Sequence, residues 1–246
     1  MSDGNGTLLA RTLVGRDAPL AALQAAWREG GTAQVVSAAA GVGKSRLVRE
    51  LASWAQTNGG LVLMGRCSPT ARDTPLRPWR EALLTAARAG RTPGADLEPF
   101  VPALARVVPE WGEAADDASS LVLGEAVLRL LSSWATPTAT AALVVEDLQW
   151  TDPESMAVLE YVVDNLSGAP VHVVATLRDG EPGAGTDLAA DLTARRAASR
   201  VHLEPLTDEE VLAVARSCLD GGDLPDPAGA ALIARSEGVP FLVEEL

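Results

Sequence analysis

The sequence VVSAAAGVGKSRLV, residues 35–48, joins an apolar strand pattern to a helix pattern through a loop that contains two glycines. It fits the phosphate-binding motif G-x-x-x-x-G-K-[ST] at its end, where Gly43, Lys44 and Ser45 take the last three positions. Counting back from them puts Ala38 where the motif has its first glycine. A strand before the loop and a helix after it are the context in which this motif binds phosphate.

The loop residues have separate tasks in this chemistry. Gly41 and Gly43 permit unusual backbone angles and a close approach of the chain to an anion. Lys44 can reach the β- and γ-phosphates, and the Ser45 hydroxyl can ligate Mg²⁺. Backbone N–H groups at the start of the helix wrap the phosphates, so the predicted contact residues are Gly41, Val42, Gly43, Lys44, Ser45 and Arg46.

The substitution at Ala38 bears on whether this loop works. The first motif position turns the chain out of the strand, and alanine there loses access to positive φ, but the amides of 41–46 are intact. Composition supplies a second argument, because nineteen of the twenty basic residues are arginine and the single lysine is Lys44. We therefore expect a working site for ATP or ADP with Mg²⁺.

A second half of the site is predicted about a hundred residues later, in ALVVEDLQW. There an apolar strand ends in two adjacent carboxylates, Glu146 and Asp147, which can serve Mg²⁺ and an attacking water. Counting from the strand assigns Glu146 to the metal and Asp147 to the water. The reverse assignment stays open, so both are candidate metal ligands and candidate catalytic residues.

The next apolar strand, APVHVVATLRD, ends near Arg178. In P-loop proteins with an additional strand, this strand lies between the loop strand and the acidic strand. Its tip then faces the γ-phosphate, and an arginine there can sense that group through a bidentate contact. We expect Arg178 to act with Lys44 and the acidic pair in catalysis.

Composition narrows the class of protein. The chain has 246 residues, 47% of them apolar, and a net charge of −13. Residues 201–246 carry ten acidic residues against two arginines, which disfavours that segment as a DNA-binding surface. Cys67 and Cys218 lie far apart without metal-ligand spacing, and no stretch resembles a signal peptide or a membrane span. These features predict a cytoplasmic protein with buried free thiols and no membrane partner.

Hydrophobic periodicity predicts an α/β fold. Apolar strand patterns cover 33–38, 59–67, 140–147, 169–179 and 199–206, with helix patterns between them. This alternation implies a mostly parallel sheet flanked by helices. We predict a nucleotide-binding domain over 1–205 and the start of a small helical lid over 206–246. For residues 68–118, rich in Pro and Arg and then in acidic and small residues, we expect only helices broken by loops.

Five segments together resemble one family: LVGRDAPLAAL, AAAGVGKSRLVREL, LVVEDLQWTDPESMAVLEYV, VVATLRD and SEGVPFLVEEL. They look like the ATPase module of the large ATP-binding LuxR-type transcriptional regulators, in the STAND branch of AAA+ P-loop ATPases. The resemblance runs from about residue 13 to 246. The Trp-Thr-Asp-Pro after the acidic pair and the Gly-x-Pro near the end are its more specific parts.

The resemblance implies further roles. Val14, Gly15 and Arg16 match an N-terminal motif beside the adenine, and Pro240 matches a lid motif that closes over the nucleotide. Family members hold ADP at rest, exchange it for ATP, self-associate and activate transcription through a terminal DNA-binding domain. The family continues beyond the position where this sequence ends. We therefore expect a fragment whose DNA contacts belong to a domain outside it.

Three functions are compatible with these motifs. The first is a nucleotide-driven switch with slow ATP hydrolysis that regulates a LuxR-type activator. The second is an AAA+ ring ATPase with fast turnover, for which Arg66, Arg195 and Arg196 are candidate arginine fingers reaching a neighbouring subunit. The third is an idle nucleotide-binding scaffold attached to a kinase or cyclase.

Overall fold

The computed structural model describes residues 12–69, 74–115, 118–136, 138–219 and 224–246. The first eleven residues of the predicted nucleotide-binding domain and parts of the 68–118 region lie outside the described residues. Five parallel strands form one sheet in the order β2-β3-β4-β1-β5. The strands are β1 (Thr32–Ala38), β2 (Val62–Arg66), β3 (Ala141–Glu146), β4 (Val171–Arg178) and β5 (Ser199–His202).

The strand order confirms the predicted additional strand. β4 pairs with the loop strand β1 on one side and with the acidic strand β3 on the other. Because all strands are parallel, their carboxyl ends lie along one edge of the sheet. The phosphate loop, the acidic pair and Arg178 therefore meet there, as expected for a ligand site in an open α/β sheet.

Helices cover both faces of the sheet. They are α1 (Asp17–Glu29), α2 (Lys44–Thr57), α3 (Arg77–Arg88), α4 (Val101–Ala105), α5 (Ser120–Trp134), α6 (Pro153–Asp164), α7 (Ala184–Ala194), α8 (Asp208–Cys218), α9 (Asp226–Ser236) and α10 (Pro240–Glu245). One core cluster joins α1 and α2 to the sheet through residues such as Leu23, Leu47 and Val144. A larger cluster, which includes Trp79 and Leu143, packs the helices from α3 through α7 against the opposite face of the sheet.

The described part of 68–118 packs as ordinary core. Trp79 of α3 is buried, and its indole N–H donates to the carbonyl oxygen of Ser155 at the start of α6. Gly65 of β2 allows α3 to approach the strand, since a Cβ at that position would lie 1.8 Å from the Pro78 carbonyl oxygen. Short 3₁₀ turns at 95–100 and 109–111 flank α4. The expectation of helices broken by loops is confirmed.

The predicted end of one strand was wrong. The fifth strand was expected to run to 206 but ends at His202, where the chain leaves the sheet toward Pro205 and the lid. Trp54 of α2 is partly buried and packs against the same core cluster as Leu47 and Leu51. Its ring packs edge-on against Trp27, and the Arg28 guanidinium lies 4.7 Å from its centre.

Helices α8, α9 and α10 lie in the segment predicted to start a lid, are called the lid below, and have a small core of their own. Leu206, Val211, Val214, Ala215 and Val243 form it. A capping box begins α8, because the Thr207 side chain accepts from the Glu210 N–H while the Glu210 carboxylate accepts from the Thr207 N–H. No helix in the described part of the chain has the length and apolar character needed to cross a membrane.

Candidate functional site: a phosphate-binding cleft

The phosphate loop has the backbone shape that its glycines were expected to give. Gly41 and Gly43 adopt φ of 77° and 106°, in the left-handed region that favours glycine. Ala38 is the last residue of β1 and pairs with Arg178 in extended conformation. Positive φ is therefore not needed at this position, and the methyl group packs into the core beside α2. The departure from the motif costs the loop no backbone strain.

Lys44 is buried and folded back onto its own loop. Its ammonium group donates to the carbonyl oxygens of Ala38 and Ala39, at 2.8 and 2.9 Å. Burial lowers the pKa of this amine, and the positive charge of Arg178 lowers it further. These carbonyl oxygens hold the ammonium beside the loop, where a phosphate can compete for it.

A cleft of about 310 Å³ opens between the loop and the lid. Six basic residues and two acidic residues are among those that line it: Arg16, Lys44, Arg46, Arg49, Arg66, Arg178, Asp147 and Glu244. The balance is therefore +4 in a chain whose net charge is −13. A concave site with this sign concentrates field lines and favours a polyanion.

Asp147 lies at this edge of the sheet, between the ends of β2 and β4. It follows β3 with φ of 57°, and its N–H donates to the Thr176 hydroxyl at 2.9 Å. Its buried carboxylate receives an arginine from each neighbouring strand, with Arg66 at 2.6 Å and Arg178 at 3.8 Å. The left-handed turn directs this carboxylate into the cleft between the two guanidinium groups.

Glu146 takes a different position from its neighbour. It is the last residue of β3 and shares the strand face of Val144, which packs against α2. It does not line the cleft, but its Oε1 atom is buried and has no hydrogen-bond partner among the described residues. This unpaired carboxylate oxygen lies on the sheet face that packs against α2, the helix that carries Ser45. Such an oxygen is suited to bind a cation. The assignment of Glu146 to Mg²⁺ and Asp147 to water remains a prediction.

Arg178 lies at the expected strand tip and lines the cleft. Its guanidinium stacks over the Trp150 ring at 4.6 Å from the centroid and contacts Glu181 at 3.2 Å. Its backbone N–H donates to the Gln149 side chain at 3.2 Å. The segment after the acidic pair therefore orients Arg178, which gives Trp150 a role at the site and not only in the core.

The N-terminal motif divides into residues that face the cleft and one that does not. Val14 and Arg16 line it, whereas Gly15 faces the lid, where a Cβ would lie 2.4 Å from Oε1 of Glu210. Arg16 is buried and donates to the carbonyl oxygens of Val42 and Glu204. It thereby links the phosphate loop to the segment that enters the lid.

The Gly-x-Pro motif brings the lid onto the loop. Gly238 adopts φ of 74°, and its carbonyl oxygen accepts from the Leu206 N–H at 2.7 Å. Pro240, at the start of α10, lines the cleft, and the Phe241 N–H donates to the Gly41 carbonyl oxygen at 3.3 Å. A Cβ on Gly41 would lie 2.9 Å from Val239. Close packing of lid and loop thus depends on this glycine.

Sequence reasoning missed the local role of Arg66 and any role of Phe241. Arg66 was considered only as a finger for a neighbouring subunit, but it lines the cleft of its own chain. Strand order supplies the missing signal, because Arg66 ends β2 and β2 lies beside the acidic strand. Phe241 lies next to the motif proline, and only the packing of α10 reveals its contact.

The strand order and the phosphate loop show that this chain has the P-loop nucleoside triphosphatase fold of the AAA type. The chain belongs to the AAA ATPase domain family, whose match covers residues 12–174. The match includes the phosphate loop and the acidic pair. No curated protein is significantly similar to the chain in sequence.

Solved structures with this fold come from several functional classes. The ORC1 protein of Aeropyrum pernix, in complex with DNA, matches with a TM-score of 0.55 at 18% identity, over 98% of this chain and 61% of that one. A STAND protein with a tetratricopeptide repeat sensor from Pyrococcus horikoshii matches at 0.54 and 15% identity, over 98% of this chain and 31% of that one. The Aeropyrum pernix ORC2 protein, in ADPNP–ADP complexes, matches at 0.59 and 13% identity, over 99% and 63%. The chain thus spans from about a third to under two thirds of these proteins.

Proposed function

We propose that this chain is an ATP/ADP-binding switch domain with slow ATP hydrolysis, and that it regulates a LuxR-type transcriptional activator. The observation that carries the proposal is the cleft, where six basic side chains and a glycine-containing loop meet in a strongly acidic protein. Such a site suits a polyphosphate, and the lid contact offers a means of reporting which nucleotide is bound.

The chain's own residues have distinct tasks in this proposal. The amides of 41–46 and Lys44 bind the phosphates, for which Lys44 leaves the loop carbonyls. Ser45 and Glu146 would hold Mg²⁺, which neutralises phosphate charge when bound. No cluster of three or more His, Cys, Asp or Glu residues suited to a metal occurs in the described part of the chain, so phosphate oxygens and waters would complete the coordination.

The position of Asp147 supports the slow turnover in this proposal. This carboxylate would orient the attacking water, but Arg66 and Arg178 hold it in ion pairs. Its Oδ2 atom becomes available only after Arg66, the closer of the two at 2.6 Å, moves to another anion. A switch that changes state once per signal tolerates this delay, whereas a motor does not.

The ring-ATPase alternative has less support from the arginines named for it. Arg195 is bound within its own chain to Glu160, Asp164 and Asp191, on the surface. Arg66 lines the cleft of its own chain and is paired there with Asp147. In the proposed switch, ATP promotes self-association. We propose that any contact with DNA belongs to a domain outside residues 1–246.

The test is the nucleotide content of the purified protein and the fate of added Mg-ATP. We expect retained ADP or slow conversion of ATP, with both lost in Lys44→Ala. Arg129→Ala is the matched control, because it also removes one positive charge but lies on α5 with Glu125 as its partner. Rapid steady-state hydrolysis would contradict the switch, and an absence of binding in the unmodified chain would contradict the nucleotide site itself.

A further inference from the structure

Arg66 holds a position that the proposed function does not yet use. Its Nε and Nη2 atoms both contact Oδ2 of Asp147, at 2.7 and 2.6 Å. The same carboxylate faces Arg178 from the other side, at 3.8 Å. Since β3 lies between β2 and β4, the two arginines come from the strands on either side of Asp147.

The two arginines are held differently. Arg178 is stacked on Trp150 and also paired with Glu181, whereas the Arg66 side chain is 53% exposed and its described side-chain bonds go to Asp147 alone. A guanidinium on an exposed stem at a strand end can rotate toward the cleft that it already lines. Arg66 is therefore the more mobile of the two.

The location of Asp147 defines which anion competes for Arg66. Lys44 and Arg178 line the same cleft, and Asp147 contributes to the electrostatic environment of the Lys44 amine. A triphosphate on the loop brings its terminal phosphate toward these groups, whereas a diphosphate lacks that group. The additional anion offers oxygens that match the planar guanidinium in a bidentate way.

We propose that Arg66 binds the terminal phosphate of ATP in its own chain and that Asp147 is its counter-ion in the absence of that phosphate. This inference rests on the proposed nucleotide site and adds the group that distinguishes ATP from ADP. With ADP, Arg66 stays on Asp147. With ATP, Arg66 transfers to the phosphate and frees the Asp147 carboxylate. The same step thus reports the nucleotide and releases the group that would orient water.

The test compares the Kd of ADP with the Kd of a slowly hydrolysed ATP analogue, ATPγS, for the unmodified chain and its variants. Arg66→Ala is expected to weaken ATPγS binding by about tenfold while ADP binding changes less than about twofold, because a charged bidentate contact is lost only with the triphosphate. Arg66→Lys keeps the charge but loses the planar fork of donors, so its affinity for ATPγS should lie between that of the unmodified chain and that of Arg66→Ala. Circular dichroism checks folding, and Arg66→Gln replaces the alanine variant if that one does not fold.

Arg129→Ala is the matched control, since Arg129 is 57% exposed and also pairs with a single carboxylate, but lies outside the cleft. A mixture of the Lys44→Ala and Arg66→Ala chains separates the two origins of the arginine. If Arg66 acted on a neighbouring subunit, the first chain would restore ATPγS affinity to the second. Restoration, equal losses for both nucleotides, or an Arg66→Ala result like that of Arg129→Ala would each overturn the inference while leaving the nucleotide site intact. No binding by the unmodified chain would overturn both proposals.

Discussion

The backbone N–H of Phe241 donates to the carbonyl oxygen of Gly41 across 3.3 Å, so the lid is bonded directly to the phosphate loop. Val239, two residues before Phe241, covers the Cα of the same glycine. A displacement of Gly41 would therefore act directly on α10 through this backbone contact, without a long side chain as intermediary.

The first prediction concerns this contact. Gly41→Ala adds a methyl group 2.9 Å from Val239 at a residue with φ of 77°. Gly59→Ala is the control, because its φ is 79° but a Cβ there meets open space. We expect both variants to lose about 1 kcal/mol of unfolding free energy from backbone strain. Only Gly41→Ala should also weaken nucleotide binding, which calorimetric titration would measure. Equal nucleotide affinities in the two variants would show that the lid contact is unimportant.

A second prediction follows from the two thiols. Burial raises the pKa of Cys67 to about 12, and this residue is only 2% exposed. Cys218 is partly buried in the lid. Iodoacetamide at pH 8 should therefore modify Cys218 first and Cys67 only as fast as the protein unfolds, because thiolate is the reactive form. Mass spectrometry of the native chain and of Cys218→Ser would measure both rates. Rapid labelling of Cys67 in native Cys218→Ser would show that the strand end opens locally.

A third prediction concerns pH. Burial lowers the pKa of His172 from 6.5 to about 4, and its Nδ1 lies 2.9 Å from the Thr32 hydroxyl. Between these two values the unfolded chain binds the proton and the folded chain does not. The contribution of His172 to the free energy of unfolding is thus fully present above pH 6.5. It is lost as the pH decreases toward 4, by about 3 kcal/mol in total.

His172→Asn tests that origin, since its amide can replace the Nδ1 contact but does not titrate. Urea unfolding at several pH values should give a smaller loss of stability for the variant than for the unmodified chain over this window. Parallel curves would assign the acid sensitivity to carboxylates instead.

The parts of the site that sequence predicted are those fixed by local pattern. The loop with Gly41, Gly43 and Lys44 is a contiguous motif, and its shape depends on residues next to one another. The position of β4 between β1 and β3 was also predicted, but from the strand order of P-loop proteins with an additional strand. Short-range spacing therefore accounts for the loop, whereas the strand order came from the known fold that the loop indicated.

The parts that sequence did not predict depend on packing between distant segments. The ion pair of Arg66 with Asp147 joins residues 81 positions apart and requires β2 to lie beside β3. The contact of Phe241 with Gly41 joins residues 200 positions apart and requires the lid to fold back onto the loop. Neither pair stands out in a pattern of charges or apolar residues, since each residue is locally ordinary.

The cost assigned to Ala38 shows a further limit. The motif suggested that alanine there would hinder the turn, but the turn begins after this residue and Ala38 remains in the strand. The sequence motif gives the spacing of the positions, whereas the backbone angle at each one is set by where the strand ends.

Because the only lysine of the chain is buried in the loop, the rate of proteolysis after lysine measures local opening of the loop. A protease that cleaves after lysine can cut this chain at a single bond, between Lys44 and Ser45, and Lys44 is 7% exposed with its amine held by two carbonyl oxygens. Cleavage therefore requires local opening of this segment, and the yield of two fragments of fixed mass measures how often that occurs. A bound nucleotide should lengthen the lifetime of the intact chain, so a gel can report occupancy without a label.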